Sequence, residues 1–223
     1  LDARRVITRK LCDKFNAFKE VVWKTEKRTK VYAIDAAYGN IGGDRCVGGW
    51  GEFGRAVNGQ TVLLLHPPVI IPVSARVEKE PEQQIAEFVK RECEGIGIQP
   101  GNMGHDATGR GSLGTFLARV WSADTQPIES GGQPSERAVS LDTYTYEPKN
   151  PLNNYAEARA SFSRSMKRLK TCKEHYVKRV TEFWFSVRYA VQGGQIRGLT
   201  TDTMEEFCQR NWERVKDDKI ELE

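Results

Sequence analysis

The stretch VYAIDAAYGNIGGDRCVGGWGEFGRAVNGQTVLLLHPPVIIPV, Val31–Val73, decides the fold. Its first four residues are apolar and β-prone and run into Asp35, after which a glycine-rich turn, Tyr38-Gly-Asn-Ile-Gly-Gly43, interrupts the run. Residues 45–57 and 60–73 are two further β-prone runs joined by Asn58-Gly59. Asn-Gly tolerates the positive φ angles of a tight hairpin, which makes it the strongest short-range hairpin signal. Three successive strands are predicted. The last passes through Pro67-Pro68, which cannot donate to a ladder, so it is bent or lies at an edge.

On the N-terminal side, Val6, Leu11, Phe15, Phe18, Val22 and Trp23 recur near helical spacing, so residues 1–27 read as a helix or helical lead-in with an abrupt start. On the C-terminal side, Glu80-Pro81 opens a helix whose buried stripe is Ile85, Phe88, Val89 and Cys93, closed by Gly95 and Gly97. Residues 102–106 form a short strand ending in the turn Asp106-Ala-Thr-Gly-Arg-Gly111. A second helix spans 113–121, and a strand at 127–129 stops at Gly131-Gly132. Residues 133–154 are a polar loop or small insertion. The spacing predicts one long or two joined helices over 153–191, a helix over 203–212 capped by Thr200, Thr201 or Asp202, and a final strand at 219–223. The order βββαβαβ followed by helices describes an α/β domain: a mixed β-sheet with an antiparallel hairpin edge, flanked by helices. The ribonuclease H-like sheet has this order of elements, an analogy of fold that does not settle function.

Composition narrows the classes. With 223 residues, 39% hydrophobic and 29% charged, the chain can bury the core of one domain, or of one domain with a modest extra lobe, which excludes a disordered tail or a rod. Lys plus Arg number 34 against 30 Asp plus Glu, a net charge of +4. No apolar run approaches the roughly 18–20 residues that cross a bilayer, so no membrane partner is expected. Five cysteines, at 12, 46, 93, 172 and 208, are odd in number and form no CxxC pair. They suit a reducing intracellular compartment and argue against a zinc ribbon or disulfide framework. No GxxxxGK[ST], GxSxG or strand-linked GxGxxG is present, which excludes those nucleotide-binding and hydrolase chemistries.

Asp35 and Asp106 each stand where a short strand runs into a glycine-rich turn, the position at which α/β sheets expose functional side chains. Asp beside Gly is also ordinary turn composition. Two carboxylates at the mouths of neighbouring strands repel unless a cation lies between them. Hard divalent ions such as Mg²⁺ accept one or two carboxylates together with substrate phosphate. The pair thus points to metal-assisted phosphodiester chemistry, with two ions roughly 3.5–4 Å apart. Asp44 is either an auxiliary ligand at the same mouth or a hairpin turn residue. Arg110, between two glycines, is either a bidentate phosphate contact or a solvated loop cation. His105, next to Asp106, reads as a supporting or purely structural residue. From Arg159 to Arg188 there are nine basic residues and two acids, Glu174 and Glu182. Lys167, Arg168, Lys170, Lys178 and Arg179 within it suit a nonspecific duplex-binding face, or a solvated helix face.

Three stretches carry a family resemblance. Val31-Tyr-Ala-Ile-Asp-Ala-Ala-Tyr-Gly-Asn-Ile-Gly-Gly-Asp-Arg-Cys46 resembles the first-strand motif of the nuclease domain in tailed-phage terminase large subunits. Gly104-His-Asp-Ala-Thr-Gly-Arg-Gly-Ser-Leu-Gly114 is similar to that family's second acidic motif. Val180-Thr-Glu-Phe-Trp-Phe-Ser-Val-Arg188, with Gln195-Ile-Arg-Gly-Leu199, is similar to its downstream helical segment. The resemblance implies a ribonuclease H-like fold over residues 30–223 and a metal-dependent endonuclease. Its role would be to cut concatemeric double-stranded phage DNA during packaging, in the host cytoplasm. It implies Asp35 and Asp106 as metal-binding, catalytic acids, Asp44 near the metals, Arg110 on phosphate, and Mg²⁺ or Mn²⁺ as cofactor. The implied partners are DNA, the terminase ATPase domain, the small terminase subunit and the portal. None of the family's ATPase motifs is present, so residues 1–29 read as a lead-in from such a domain. The family's third acidic motif, a Ser-Pro-Asp stretch, would come after a strand like Lys219–Glu223, and Glu182, Asp202 and Asp217 do not match it. A noncatalytic DNA-gripping or docking module of the motor, and a junction resolvase or ribonuclease on the same fold, remain the alternatives.

Overall fold

Strand β1 (Thr29–Asp35) alternates over its last four residues: Tyr32 and Ile34 are buried while Ala33 and Asp35 are exposed. The computed structural model that contains it describes residues 4–37, 45–74, 76–107, 112–137, 139 and 170–223. The chain divides into a sheet unit, Phe18–Ser130 with Gln195–Thr203, and a helical unit, Leu1–Ala17 with Gly131–Gly194 and Met204–Glu223.

In the sheet unit, β1 pairs antiparallel with β2 (Val47–Arg55), and β2 with β3 (Thr61–Leu65). The hairpin expected at Asn58-Gly59 forms, with Gly59 at φ 81°, a value that favours glycine. The bend expected at Pro67-Pro68 is a bulge. His66 N still donates to Trp50 O at 3.0 Å, yet Val69 of β4 (Val69–Ile70) pairs with Gly48. His66, Pro67 and Pro68 thus face only Gly49 and Trp50, and the strand resumes along β2 displaced by one residue.

The remaining strands run parallel and need crossovers. Helix α2 (Pro81–Ile96) starts on its proline and stops at Gly97, which is left-handed at φ 82°. It delivers the chain to β5 (Met103–Asp106), parallel to β1. Helix α3 (Ser112–Val120) then leads to β6 (Gln126–Ile128), parallel to β5. The strand order is β6-β5-β1-β2-β3-β7, where β7 (Ile196–Arg197) lies parallel to β3. Ile85, Val89 and Cys93 of α2 and Leu113 and Leu117 of α3 pack on Tyr32, Ile34 and Met103, forming the core on one face of the sheet.

Two helical expectations differ from the structure. Over residues 4–27 the described helix is α1 (Arg9–Lys14), whose first turn Thr8 caps through Leu11 N at 3.2 Å. Farther on, Trp23 bridges to Ala56, and Val22 O and Lys24 N bond to the β2–β3 hairpin. The apolar spacing of 18–23 serves an extended edge, a pairing that periodicity does not reveal. The long helix over 153–191 is also broken. Phe162, Met166 and Leu169 lie outside the described residues, and beyond Thr171 the chain forms α4 (Cys172–His175) and α5 (Arg179–Gln192). Between them Tyr176 is extended, at φ −113° and ψ 153°, and bridges to Ile220. A tertiary contact overrides the local helical pattern there. Likewise α6 (Thr201–Phe207) ends before Trp212, which lies in β8 (Trp212–Arg214) and pairs antiparallel with β9 (Ile220–Leu222).

The helical unit is tied by one carboxylate. Glu182, only 1% exposed, accepts from Ser135 N at 2.7 Å, Ser135 Oγ at 2.6 Å and Arg137 Nη2 at 3.1 Å. Burial pushes its pKa up, but these hydrogen bonds and the Arg137 charge outweigh burial and hold it below the usual carboxylate value.

The packing sets what substitutions should cost. Leu117, 0% exposed in the sheet unit, should cost about 2–5 kcal/mol as Leu117→Ala, read by urea unfolding. Val57→Ala, at a position 61% exposed, should cost less than about 0.5 kcal/mol. Glu182→Gln should lose about 1–3 kcal/mol at pH 7, because an amide cannot accept all three donors. A depressed folded pKa makes the wild-type contribution full above the unfolded carboxyl value of about 4.3, and lost as pH falls through the folded value. The gap between wild type and variant should therefore narrow at pH 3.

Candidate functional site

The parallel register of β1 and β5 matches Tyr32 with Met103, Ala33 with Gly104 and Ile34 with His105. One further step along both strands sets Asp35 beside Asp106. Tyr32, Ile34, Met103 and His105 are all buried, so the alternation sends both aspartates to the opposite face, where both are exposed. Neighbouring strands are roughly 4.8 Å apart, which leaves two like charges side by side at the carboxyl ends of two parallel strands. The loop after β6 adds a hydroxyl: Ser130 Oγ lies 3.4 Å from Asp106 Oδ1. Ala107 N donates to Ile128 O at 2.9 Å and holds β5 and β6 together just beyond Asp106.

The donor set is all oxygen, the chemistry that Mg²⁺ and Mn²⁺ select. Among the described residues no group of three or more His, Cys, Asp or Glu is gathered tightly enough to hold a metal by itself. Mg²⁺ usually takes one or two carboxylates and completes its shell with water and substrate phosphate, so a pair fits it in kind.

His105 serves the fold. It is 4% exposed, its Nδ1 lies 3.4 Å from Asp106 O, and a Cβ on Gly114 of α3 would come within 3.1 Å of its ring. A cleft of about 300 Å³ opens beside it, lined in part by Asp106, Thr115, Thr125 and Pro127.

The other expected residues divide between the two units and the rest of the chain. Asp44, Arg110, Lys167 and Arg168 lie outside the described residues. Lys170, Lys178 and Arg179 belong to the helical unit. Lys178 Nζ is paired with Glu221 at 2.7 Å, and Arg179 lies over the Phe183 ring at 5.7 Å. Lys170 is exposed ahead of α4. Arg45 carries no signal in the sequence that singles it out. It is found only by counting back in twos from Val47 once the β1–β2 register is known.

Comparison with solved structures finds this fold again. A point mutant of gp2c, from the large terminase subunit of bacteriophage Sf6, with calcium, superposes with a TM-score of 0.57 over 98% of this chain and 88% of that one, at 13% identity. A mutant nuclease domain of the large terminase subunit gp2 of bacterial virus Sf6, with manganese, gives a TM-score of 0.55 at the same coverage and identity. The chain has the ribonuclease H-like fold of a large-terminase nuclease domain. Neither a protein-family model nor a curated protein matches the sequence. The sheet is built around the strand that ends in Asp35, with the Asp106 strand parallel beside it. Among the described residues no helix is long and apolar enough to cross a membrane.

Because Asp35 is exposed and beside a like charge, its removal relieves repulsion. Asp35→Asn in metal-free buffer should leave the melting temperature unchanged or slightly higher. A loss of more than about 1 kcal/mol would mark the carboxylate as a structural member of the fold.

Proposed function

We propose that the chain is the metal-dependent endonuclease domain of a phage terminase large subunit, cleaving concatemeric double-stranded DNA during genome packaging in the host cytoplasm. The observation that carries this reading is the β1–β5 register, which pairs Ile34 with His105 one step short of the two aspartates, on a sheet shared with terminase nuclease domains. The Sf6 domains solved with calcium and with manganese support a divalent cation as the cofactor class.

In this mechanism Asp35 and Asp106 are the catalytic, metal-binding acids, with Asp44 as their neighbour. When bound, a pair of Mg²⁺ or Mn²⁺ ions would activate water and stabilise the leaving 3′ oxygen. The carboxylates fix where the scissile phosphate must come to rest, since only oxygen anions brought to that mouth complete the coordination. Ser130 orients Asp106 through its hydroxyl. Arg110 holds phosphate. Lys167, Arg168, Lys170, Lys178 and Arg179 supply charge for a duplex gripped by its backbone, so cutting is largely independent of sequence. The ATPase domain, the small terminase subunit and the portal would be partners in the assembled motor.

The test is plasmid cleavage in Mn²⁺ by wild type, Asp35→Asn and Asp106→Asn. Wild type should nick and linearise, and each variant should lose at least about a hundredfold in rate. In parallel, Mn²⁺ should raise the wild-type melting temperature and leave both variants unmoved. Equal cutting by all three proteins would remove the aspartates from the reaction. Salt-sensitive duplex binding without cutting would favour a gripping module.

A further inference from the structure

We infer that Arg45 is a phosphate-holding residue of this same site, gripping the phosphodiester adjacent to the one at Asp35; the inference rests on the nuclease reading. Three independent placements fix where Arg45 stands. The β1–β2 register pairs Asp35 with Val47. Beyond β2, Ile71 N donates to Cys46 O at 2.9 Å, so the extended pairing with the β4 side continues one residue past Val47. Cys46 is 4% exposed in the core with Tyr32 and Ile34, and Ala36 packs against that same core. Alternation therefore persists on both strands past their paired ends. Cys46 and Ala36 point inward, while Asp35, Val47 and Arg45 share the outer face.

Across that face the chain presents Asp106 on β5, Asp35 on β1, and Arg45 next to Val47 on the strand beyond. Arg45 is the diagonal neighbour of Asp35. Diagonal pairs in an antiparallel ladder lie roughly 7–8 Å apart, within the span of a long side chain. Arg45 is exposed, and among the described residues neither Arg45 nor Asp35 takes part in an ion pair. Arg28 Nε donates to Glu52 at 2.9 Å and Lys30 Nζ to Ile96 O at 2.7 Å, both at the start of β1, and Arg55 closes the far end of β2.

A guanidinium and a carboxylate that take part in no ion pair among the described residues, set on one face a diagonal step apart, together have a definite chemical fit. A phosphodiester satisfies both: its oxygens take the two parallel N–H groups of an arginine fork while the carboxylate side is neutralised by cations. A lysine offers charge at that spot but not the fork. The ligand class is therefore a nucleic-acid backbone, and Arg45 positions it relative to the acids rather than reacting.

The experiment uses the full chain with linear duplex DNA, measuring binding in Ca²⁺ across a salt series and plasmid cutting in Mn²⁺. Arg45→Ala should weaken duplex binding roughly tenfold, the loss of one charged hydrogen-bonded contact. It should also make the slope of log K against log salt less negative by about 0.9, one phosphate contact. Arg45→Lys should keep the salt slope and still cut at least about fivefold more slowly than wild type, since the charge remains and the fork is gone. Both variants should retain the wild-type melting temperature and its rise with Mn²⁺, because Arg45 is neither core nor metal ligand. An unchanged salt slope in Arg45→Ala, or a lost Mn²⁺ response in it, would overturn the assignment. If wild type binds duplex and never cuts, the nuclease reading fails, while the salt slope still decides whether Arg45 touches phosphate.

Discussion

Parallel pairing of β1 with β5 is the constraint on which the rest depends. The two strands are far apart in the chain, and placing them side by side with both running the same way requires the β2–β3 hairpin, the bulge at Pro67-Pro68 and the sixteen-residue helix α2 as a crossover. The cost in chain entropy is offset by burial: Ile85, Val89 and Cys93 of the crossover helix settle on Tyr32, Ile34 and Met103. The core face of that pairing stabilises the fold. Its other face is left with two carboxylates that have no stabilising reason to be adjacent. Electrostatics favours separating like charges, so their adjacency has to be imposed by the packing on the opposite side of the same two strands.

The acids of the chain divide by surroundings. Glu182 is sunk beneath Ser135 and Arg137, and its charge is held by three donors, so it ties the helical unit together. Glu52 meets Arg28 Nε at 2.9 Å and His66 Nε2 at 3.3 Å, and is a structural ion pair of the sheet unit. Burial raises its pKa, and hydrogen bonds and charge from Arg28 and His66 bring it below the ordinary value. Asp35 sits exposed at a strand mouth, outside any ion pair among the described residues. Acids already satisfied by the protein have little affinity left for a cation, whereas one left at a sheet end does. That contrast separates Glu182, which lies in the downstream segment resembling terminases, from any metal-binding role.

Much of the sheet is legible in the sequence because its signals are local. Asn58-Gly59 announces a hairpin, Pro81 and Gly97 bracket a helix, and Asp35 and Asp106 each stand at the junction of a β-prone run and a glycine turn. The misreadings have one cause. Val22 and Trp23 sit at helical spacing yet pair with the hairpin at Ala56 and Val57, and Tyr176 sits in a helical series yet bridges to Ile220. In each case the partner is distant in the chain, and local periodicity carries no information about it.

By itself the sequence determined the elements around the site, the two aspartates at strand ends, and the oxygen-only character of the candidate ligands, since these depend on residue type and near neighbours. Tertiary structure alone decided that β1 and β5 are adjacent and parallel, that Asp35 and Asp106 share a face, and that Ser130 and Arg45 join them. Side-chain facing in a sheet has a period of two, so a one-residue change of register would send Asp106 into the core, and register is set by packing across the whole sheet.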